Sequence, residues 1–145
     1  MRFLIQRVRS ASVSVDGQLV SQIGHGLLVL VGISTTDTHT QADYMADKLV
    51  NLRIFADDEG RMNRSALDLG AELLLVSQFT LYGDCRKGRR PSFDSAARPE
   101  TARDLYQYVF HKVAEKGLVT RDGVFQAHMD VALHNDGPVT ILLES

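Results

Sequence analysis

The chain has 145 residues, 44% hydrophobic and 23% charged, the proportions of an ordinary globular protein and the length of one domain. Sixteen Lys and Arg against eighteen Asp and Glu give a net charge of −2, which excludes holding nucleic acid by bulk charge but not by a local basic patch. The single cysteine, Cys85, can form neither an internal disulfide nor a multi-thiolate metal site.

The N-terminus, Met1-Arg2-Phe3-Leu4-Ile5-Gln6-Arg7-Val8, reaches a second charge too early for a signal-peptide apolar region. The longest apolar run, Leu27 to Val31, falls far short of the ~20 residues a membrane span needs. With no linker, repeat or biased segment, residues 1–145 are expected to form one domain, located in the cytoplasm and away from membranes.

Residues 2–15 are rich in aliphatic and β-branched types that alternate in two stretches, Phe3/Ile5 and Ala11/Val13/Val15. Arg7 and Arg9 break the phase between them, which predicts a long strand with a bend or bulge. Asp16-Gly17 is a strong hairpin signal, because glycine supplies positive φ cheaply. Gln18 to Ile23 is the returning strand. Leu27 to Val31 suits a strand buried on both faces.

Thr38 to Val50 reads as a helix: Ala42, Met45, Ala46 and Leu49 share one stripe, and Thr38 with Gln41 makes a capping box. A short strand is predicted over Asn51 to Phe55 and another over Ala71 to Ser77, followed by a polar loop from Leu81 to about Ser95. From Pro99 to Lys116 the apolar stripe Ala102, Leu105, Tyr106, Val109, Phe110, Val113 is unbroken, with proline at the first helical position and Gly117 just past the end. Two last strands, near Met129 to Leu133 and Val139 to Leu143, flank a turn at Asn135-Asp136-Gly137-Pro138. The order β-β-β-α-β-β-α-β-β predicts an α+β fold, a curved and mainly antiparallel, barrel-like sheet covered by two helices.

Four features carry candidate chemistry. The five histidines show no ligand spacing, and Asp57-Asp58-Glu59-Gly60 lacks the alternating ligands of a calcium loop, so neither metal nor cofactor is expected. Arg86-Lys87-Gly88-Arg89-Arg90 places four cations in five positions, either a solvated loop or a phosphate-backbone contact. Ser77-Gln78-Phe79-Thr80-Leu81 crowds hydroxyl, amide and aromatic groups at a strand end, where sheets place sites, although such residues also satisfy turn backbone. An unactivated threonine is a poor nucleophile, and the motif contains no base for Thr80. Asn135-Asp136-Gly137-Pro138-Val139-Thr140 reads simply as a turn, with the ordinary trans proline as default.

Taken together, these segments resemble the D-aminoacyl-tRNA deacylases. The Ser77–Leu81 and Asn135–Thr140 motifs do so in company with Gln6-Arg7-Val8, Arg53-Ile54-Phe55 and Lys87-Gly88-Arg89-Arg90-Pro91-Ser92-Phe93, in the family's order and across essentially the whole chain. A branch that edits another mischarged tRNA departs from Ser-Gln-Phe-Thr, so the chain resembles the D-specific branch more closely.

The resemblance implies a metal-free, cofactor-free homodimer that hydrolyses the ester joining a D-amino acid to the tRNA 3′ adenosine. It implies a cis Gly137-Pro138 bond entering the partner's active site, where main-chain oxygens hold the substrate's α-amino group and an L side chain is excluded. Arg7 would fix that dipeptide, Met129 would lie near the pocket mouth, and Arg86, Lys87, Arg89 and Arg90 would hold tRNA. A D side chain would point outward, so glycyl-tRNA is an expected further substrate. Ser77, Gln78, Phe79 and Thr80 form the expected catalytic segment. Backbone N–H groups would take the oxyanion, and the ribose 2′-OH would orient the attacking water. The alternatives are a non-enzymatic tRNA-binding module and an esterase with Thr80 as nucleophile.

Overall fold

The computed structural model describes residues 1–145. Strand β1 (Arg2–Val15) turns through Asp16 and Gly17, both at positive φ (50° and 75°), into β2 (Gln18–Ile23), and the chain runs on as β3 (Gly26–Gly32). Helix α1 (His39–Asn51) starts with the expected capping box between Thr38 and Gln41 and buries Ala42, Met45, Ala46 and Leu49. Then come β4 (Phe55–Ala56), β5 (Met62–Arg64), α2 (Ala66–Leu69) and β6 (Glu72–Ser77). A 3-10 turn over Phe79–Tyr82 and a long loop lead into α3 (Pro99–Ala114), followed by β7 (Thr120–Asp122) and β8 (Asp130–Glu144).

β1 is the spine of the sheet. Along one edge it pairs β3 with residues 2–8 and β2 with residues 11–15; along the other it pairs β8 over nearly its full length, all antiparallel. β6 and then β7 add in parallel beside β3. The sheet curls until β2 meets β7, where the Ser21 hydroxyl donates to the Asp122 carbonyl. The result is the nearly closed, mostly antiparallel barrel of an α+β fold.

Two register shifts against β8, between Gln6 and Val8 and between Val8 and Ser10, are the expected interruption at Arg7 and Arg9. They turn β1 over. Phe3 and Ile5 join the 24-residue core beneath α1 and α3, whereas Val8, Ala11 and Val13 join a second cluster with Leu28, Leu74 and Val76. β3 and β6 feed both clusters with alternate residues, which explains their continuously apolar sequences.

Three expectations change. The predicted strand Asn51–Phe55 is the end of α1 plus an extended link, because only Phe55 and Ala56 find a partner, in β5. The last two predicted strands are one strand, β8, because the 14-residue β1 offers a single edge long enough to pair with both halves. Helix α2, capped by Ser65 and Asp68, is a third helix, and with β5 and β7 it is too short to leave a periodic signal. No helix is long and apolar enough to cross a membrane.

Candidate functional site at the end of β6

Past Ser77, the Gln78 N–H still donates to the Val31 carbonyl (2.8 Å), and the chain then winds into the 3-10 turn. The turn's hydrogen bonds begin with Leu81 N–H on the Gln78 carbonyl (3.3 Å) and continue with Gly83 N–H on the Thr80 carbonyl (3.0 Å). The N–H groups of Phe79 and Thr80 precede the first of these bonds and have no acceptor within the turn. Gln78 Nε2 donates to Thr80 Oγ1, so that oxygen is an acceptor here and its own hydrogen is free to donate. Phe79, 55% exposed, packs edge-on to Phe93 with ring centroids 5.0 Å apart. Gly83 permits this closeness: a Cβ there would lie 3.2 Å from the Phe93 ring and 3.1 Å from the Thr80 carbonyl oxygen.

Beside this turn opens a cavity of about 620 Å³. Ser77, Gln78 and Phe79 form one wall and Phe125 to Met129 another; Thr80 does not itself line it. No carboxylate, Lys or Arg lines the cavity, and His128 is its one ionisable group apart from hydroxyls. The second wall is irregular backbone held by several ties. Gln126 sits at φ 64°, Ala127 N–H donates to the Val124 carbonyl (3.1 Å), and Val124 N–H points to Met129 Sδ (3.3 Å). Arg103 donates to Gln126 Oε1 (2.9 Å) with its guanidinium 5.1 Å over the Phe125 ring. Behind it, the buried Tyr106 hydroxyl donates to the Leu75 carbonyl (2.9 Å); burial pushes its pKa well above the ordinary tyrosine range. Phe125, Gln126 and His128 escaped the sequence reading, because an aperiodic segment carries no signal of which side chains turn inward.

The Asn135–Thr140 motif lies elsewhere on the same chain. Thr140 pairs with Gln6 and Asn135 with Val8, so Asp136 to Val139 bulge out of β8 opposite Arg7. Gly137 and Pro138 are exposed at the tip of this bulge, their peptide bond is cis, and neither lines the cavity. Asn135 closes the base: its Oδ1 accepts from Val139 N–H and its Nδ2 donates to Thr140 Oγ1, both at 2.9 Å. Arg7, largely buried, donates to the Ile54 carbonyl (2.6 Å) and sets its Nε 3.0 Å from Asp136 Oδ2. That Nε has no aligned hydrogen bond, so the contact with Asp136 is charge attraction. Three short motifs, at 6–8, 53–55 and 135–140, thereby become one assembly. The structure groups Ser77, Gln78, Phe79 and Met129 at the cavity and leaves Arg7, Gly137 and Pro138 outside it.

The basic loop is closed at its base by reciprocal backbone hydrogen bonds between Asp84 and Ser92 (2.7 and 3.0 Å). Arg86 grips Asp84 through two side-chain bonds (2.9 and 2.7 Å), which hold that carboxyl well below the usual carboxylate range. Its charge is therefore matched locally. Lys87, Arg89 and Arg90 are exposed and have no carboxylate in ion-pair range, so the loop presents three unpaired cations rather than the four expected.

Known proteins match this arrangement over its whole length. Residues 4–144 fit the family described as D-Tyr-tRNA(Tyr) deacylase. The chain is 59% identical to the D-aminoacyl-tRNA deacylase of Brevibacillus brevis, covering 100% of both, and 57% identical to that of Clostridioides difficile, covering 100% of this chain and 97% of the other. A solved structure titled c-Myc DNA Unwinding Element Binding Protein superposes with a TM-score of 0.94 at 42% identity, covering 100% of this chain and 99% of that one. Another, titled as an analysis of a probable eukaryotic D-amino acid tRNA deacylase, shares the fold with a TM-score of 0.83 at 19% identity, covering 98% and 97%. A family match spanning residues 4–144, with 59% identity to a relative over the full length of both chains, leaves one conclusion: the chain belongs to the D-aminoacyl-tRNA deacylase family.

Proposed function

We infer that the chain hydrolyses the ester between a D-amino acid and the 3′-terminal adenosine of tRNA, and releases both. The observation that carries the chemistry is the cavity beside the 3-10 turn: Phe79, whose N–H has no acceptor within the turn, lines it, and no carboxylate or lysine does. Such a site is poor in acid–base groups and rich in fixed dipoles. It suits a reaction whose main demand is stabilising a developing oxyanion, where one well-placed donor is often worth ~3–4 kcal/mol. The ribose 2′-OH beside the ester orients the water. Thr80, whose oxygen is occupied by the Gln78 amide, donates its hydrogen and positions the substrate. The alternative with Thr80 as nucleophile is disfavoured because its side-chain partner, the Gln78 amide, donates to it and is no base for its proton.

Selectivity against the far commoner L-aminoacyl-tRNA comes from Gly137-Pro138 of a second subunit. A soft apolar pocket separates small differences in shape by only ~1–3 kcal/mol, whereas main-chain atoms that cannot retreat exclude a side chain outright. Two features support a homodimer that works this way. The tip is exposed and lies outside its own chain's cavity, and the outer edge of β8 has no partner strand. The unpaired cations Lys87, Arg89 and Arg90 hold the tRNA backbone, and the protein works in the cytoplasm, where aminoacyl-tRNA is used.

Incubation with D- and L-tyrosyl-tRNA tests the reading: the D-ester should be cleaved and the L-ester spared. Release of neither would leave a tRNA-binding module. Mixing Phe79→Ala subunits with Gly137→Val subunits tests the shared site, because hybrid dimers regain one intact cavity and tip. Mixtures with no gain over the separate variants would return the selectivity filter to a single chain.

A further inference from the structure

Eight of the sixteen Lys and Arg side chains lie within ion-pair range of a carboxylate. The other eight are not spread evenly. Three are scattered over α1, the link to β4, and β7, whereas Lys87, Arg89, Arg90, Arg98 and Arg103 all fall on the loop and helix that contribute Phe93, Ala97, Pro99 and Ala102 to the cavity at the end of β6. The first three belong to the loop that ends at Phe93, a cavity residue. Arg98 stands between Ala97 and Pro99, both cavity residues, and is exposed, its side chain making no capping bond to α3. Arg103 lies four positions from Pro99 and so on the same helix face, with Glu100, three positions away, as its neighbour on the other side; its guanidinium reaches the cavity residues Phe125 and Gln126. A chain with net charge −2 thus carries five of its eight unpaired cations on the segment that supplies one side of a cavity lined by no carboxylate, Lys or Arg.

We propose that Arg98 and Arg103 form a second cationic border of this cavity, which takes the backbone phosphates of the unpaired 3′ tail of the RNA. The proposal rests on the deacylase reading and extends it. With the terminal aminoacyl-adenosine inside the cavity, the phosphates just before it must cross the rim, and the rim is where these arginines stand. Arg103 is already oriented, stacked over Phe125 and donating to Gln126 through only one of its five N–H groups. Four donors remain for an anion, and little side-chain freedom is left to lose on binding.

The probe is an uncharged RNA hairpin ending in an unpaired 3′ tail, with Kd measured against salt concentration. Arg98→Gln/Arg103→Gln should weaken binding roughly tenfold near 0.1 M salt. It should also lower the salt slope by about 1.4, as expected when two single-strand phosphate contacts are lost. Arg98→Gln alone, at an exposed position without capping bonds, should give about half the slope change with the fold intact. Lys48→Gln, at an unpaired cation on α1, none of whose residues lines the cavity, should bind as the wild type does. A wild-type Kd and slope in the double variant would overturn the proposal. So would an equal loss on a blunt hairpin without the tail, which would place the contact on the duplex. Cleavage of D-tyrosyl-tRNA by the wild type is read separately, so failure of the deacylase reading is distinguishable from failure of this one.

Discussion

Arg7 and Asp136 face each other across the wider of the two interruptions in the pairing of β1 with β8, with 3.0 Å between guanidinium nitrogen and carboxylate oxygen. Asp136 starts the bulge that carries Gly137 and Pro138, and Arg7 is anchored from behind by the Ile54 carbonyl. A side chain in the sheet therefore fixes the aim of an exposed main-chain tip. Arg7→Lys keeps a charge but cannot reach Ile54 and Asp136 together in a fixed fork. The variant should fold, lose at least tenfold in kcat/KM on D-tyrosyl-tRNA, and discriminate less between D- and L-esters. Unchanged selectivity would show that Arg7 only fills space.

Gly137 sits at φ +124°, where a Cβ would lie 2.9 Å from Val139 Cγ2 and 3.0 Å from the Arg7 guanidinium. Gly137→Ala is therefore strained in backbone and in contact, at a cost of about 1–3 kcal/mol. The lower Tm should come with displacement of Arg7 and a loss of activity larger than stability alone explains. A crystal structure of the variant with Arg7 still on Ile54 and Asp136 would contradict this account.

If Thr80 only positions substrate, Thr80→Ala should lower kcat about tenfold, the worth of one hydrogen bond. Loss of a true nucleophile costs on the order of 10⁴-fold or more. Rapid-quench mass spectrometry of the wild type during turnover should find no aminoacyl group on Thr80. Detection of that adduct would establish covalent catalysis.

The Asp84–Arg86 pair restrains the charge of the basic loop. Asp84→Asn keeps the backbone bonds to Ser92 but releases Arg86, raising the unpaired cations in the loop from three to four. The variant should bind tRNA more tightly, with a salt slope steeper by up to about 0.9 and a lower KM. A KM that does not move would mean the loop never touches RNA.

Tyr106 gives a pH signature. Its hydroxyl is buried and its pKa is raised, chiefly by desolvation, above the ordinary value of 10.0. The folded state holds the phenolic proton more tightly than the unfolded one, so this contribution is fully present below pH 10 and is lost as pH rises beyond it. Tyr106→Phe removes one hydrogen bond to the Leu75 carbonyl, which still accepts from Gly123 N–H (3.0 Å), and should cost about 0.5–1.5 kcal/mol at pH 7. Denaturant melts from pH 7 to pH 11 should show the gap between the proteins closing only at the alkaline end.

The elements that stand by themselves were legible in the residues. The Thr38–Gln41 capping box, the stripe of α3 and the Asp16-Gly17 hairpin each follow from local chemistry within a few positions, as does the phase break at Arg7 and Arg9. The strand-end motif and the bulge motif could also be named from their residues. Their separation could not, because whether Gly137 faces Phe79 depends on the pairing of β1 with β8, a contact between residues more than a hundred positions apart. The wall made by Phe125, Gln126 and His128 is likewise a product of packing: Arg103 and Met129 hold an aperiodic segment whose sequence favours no shape. Local propensity determined the longer helices and the hairpin, while long-range pairing alone decided where the short strands lie and which polar groups meet.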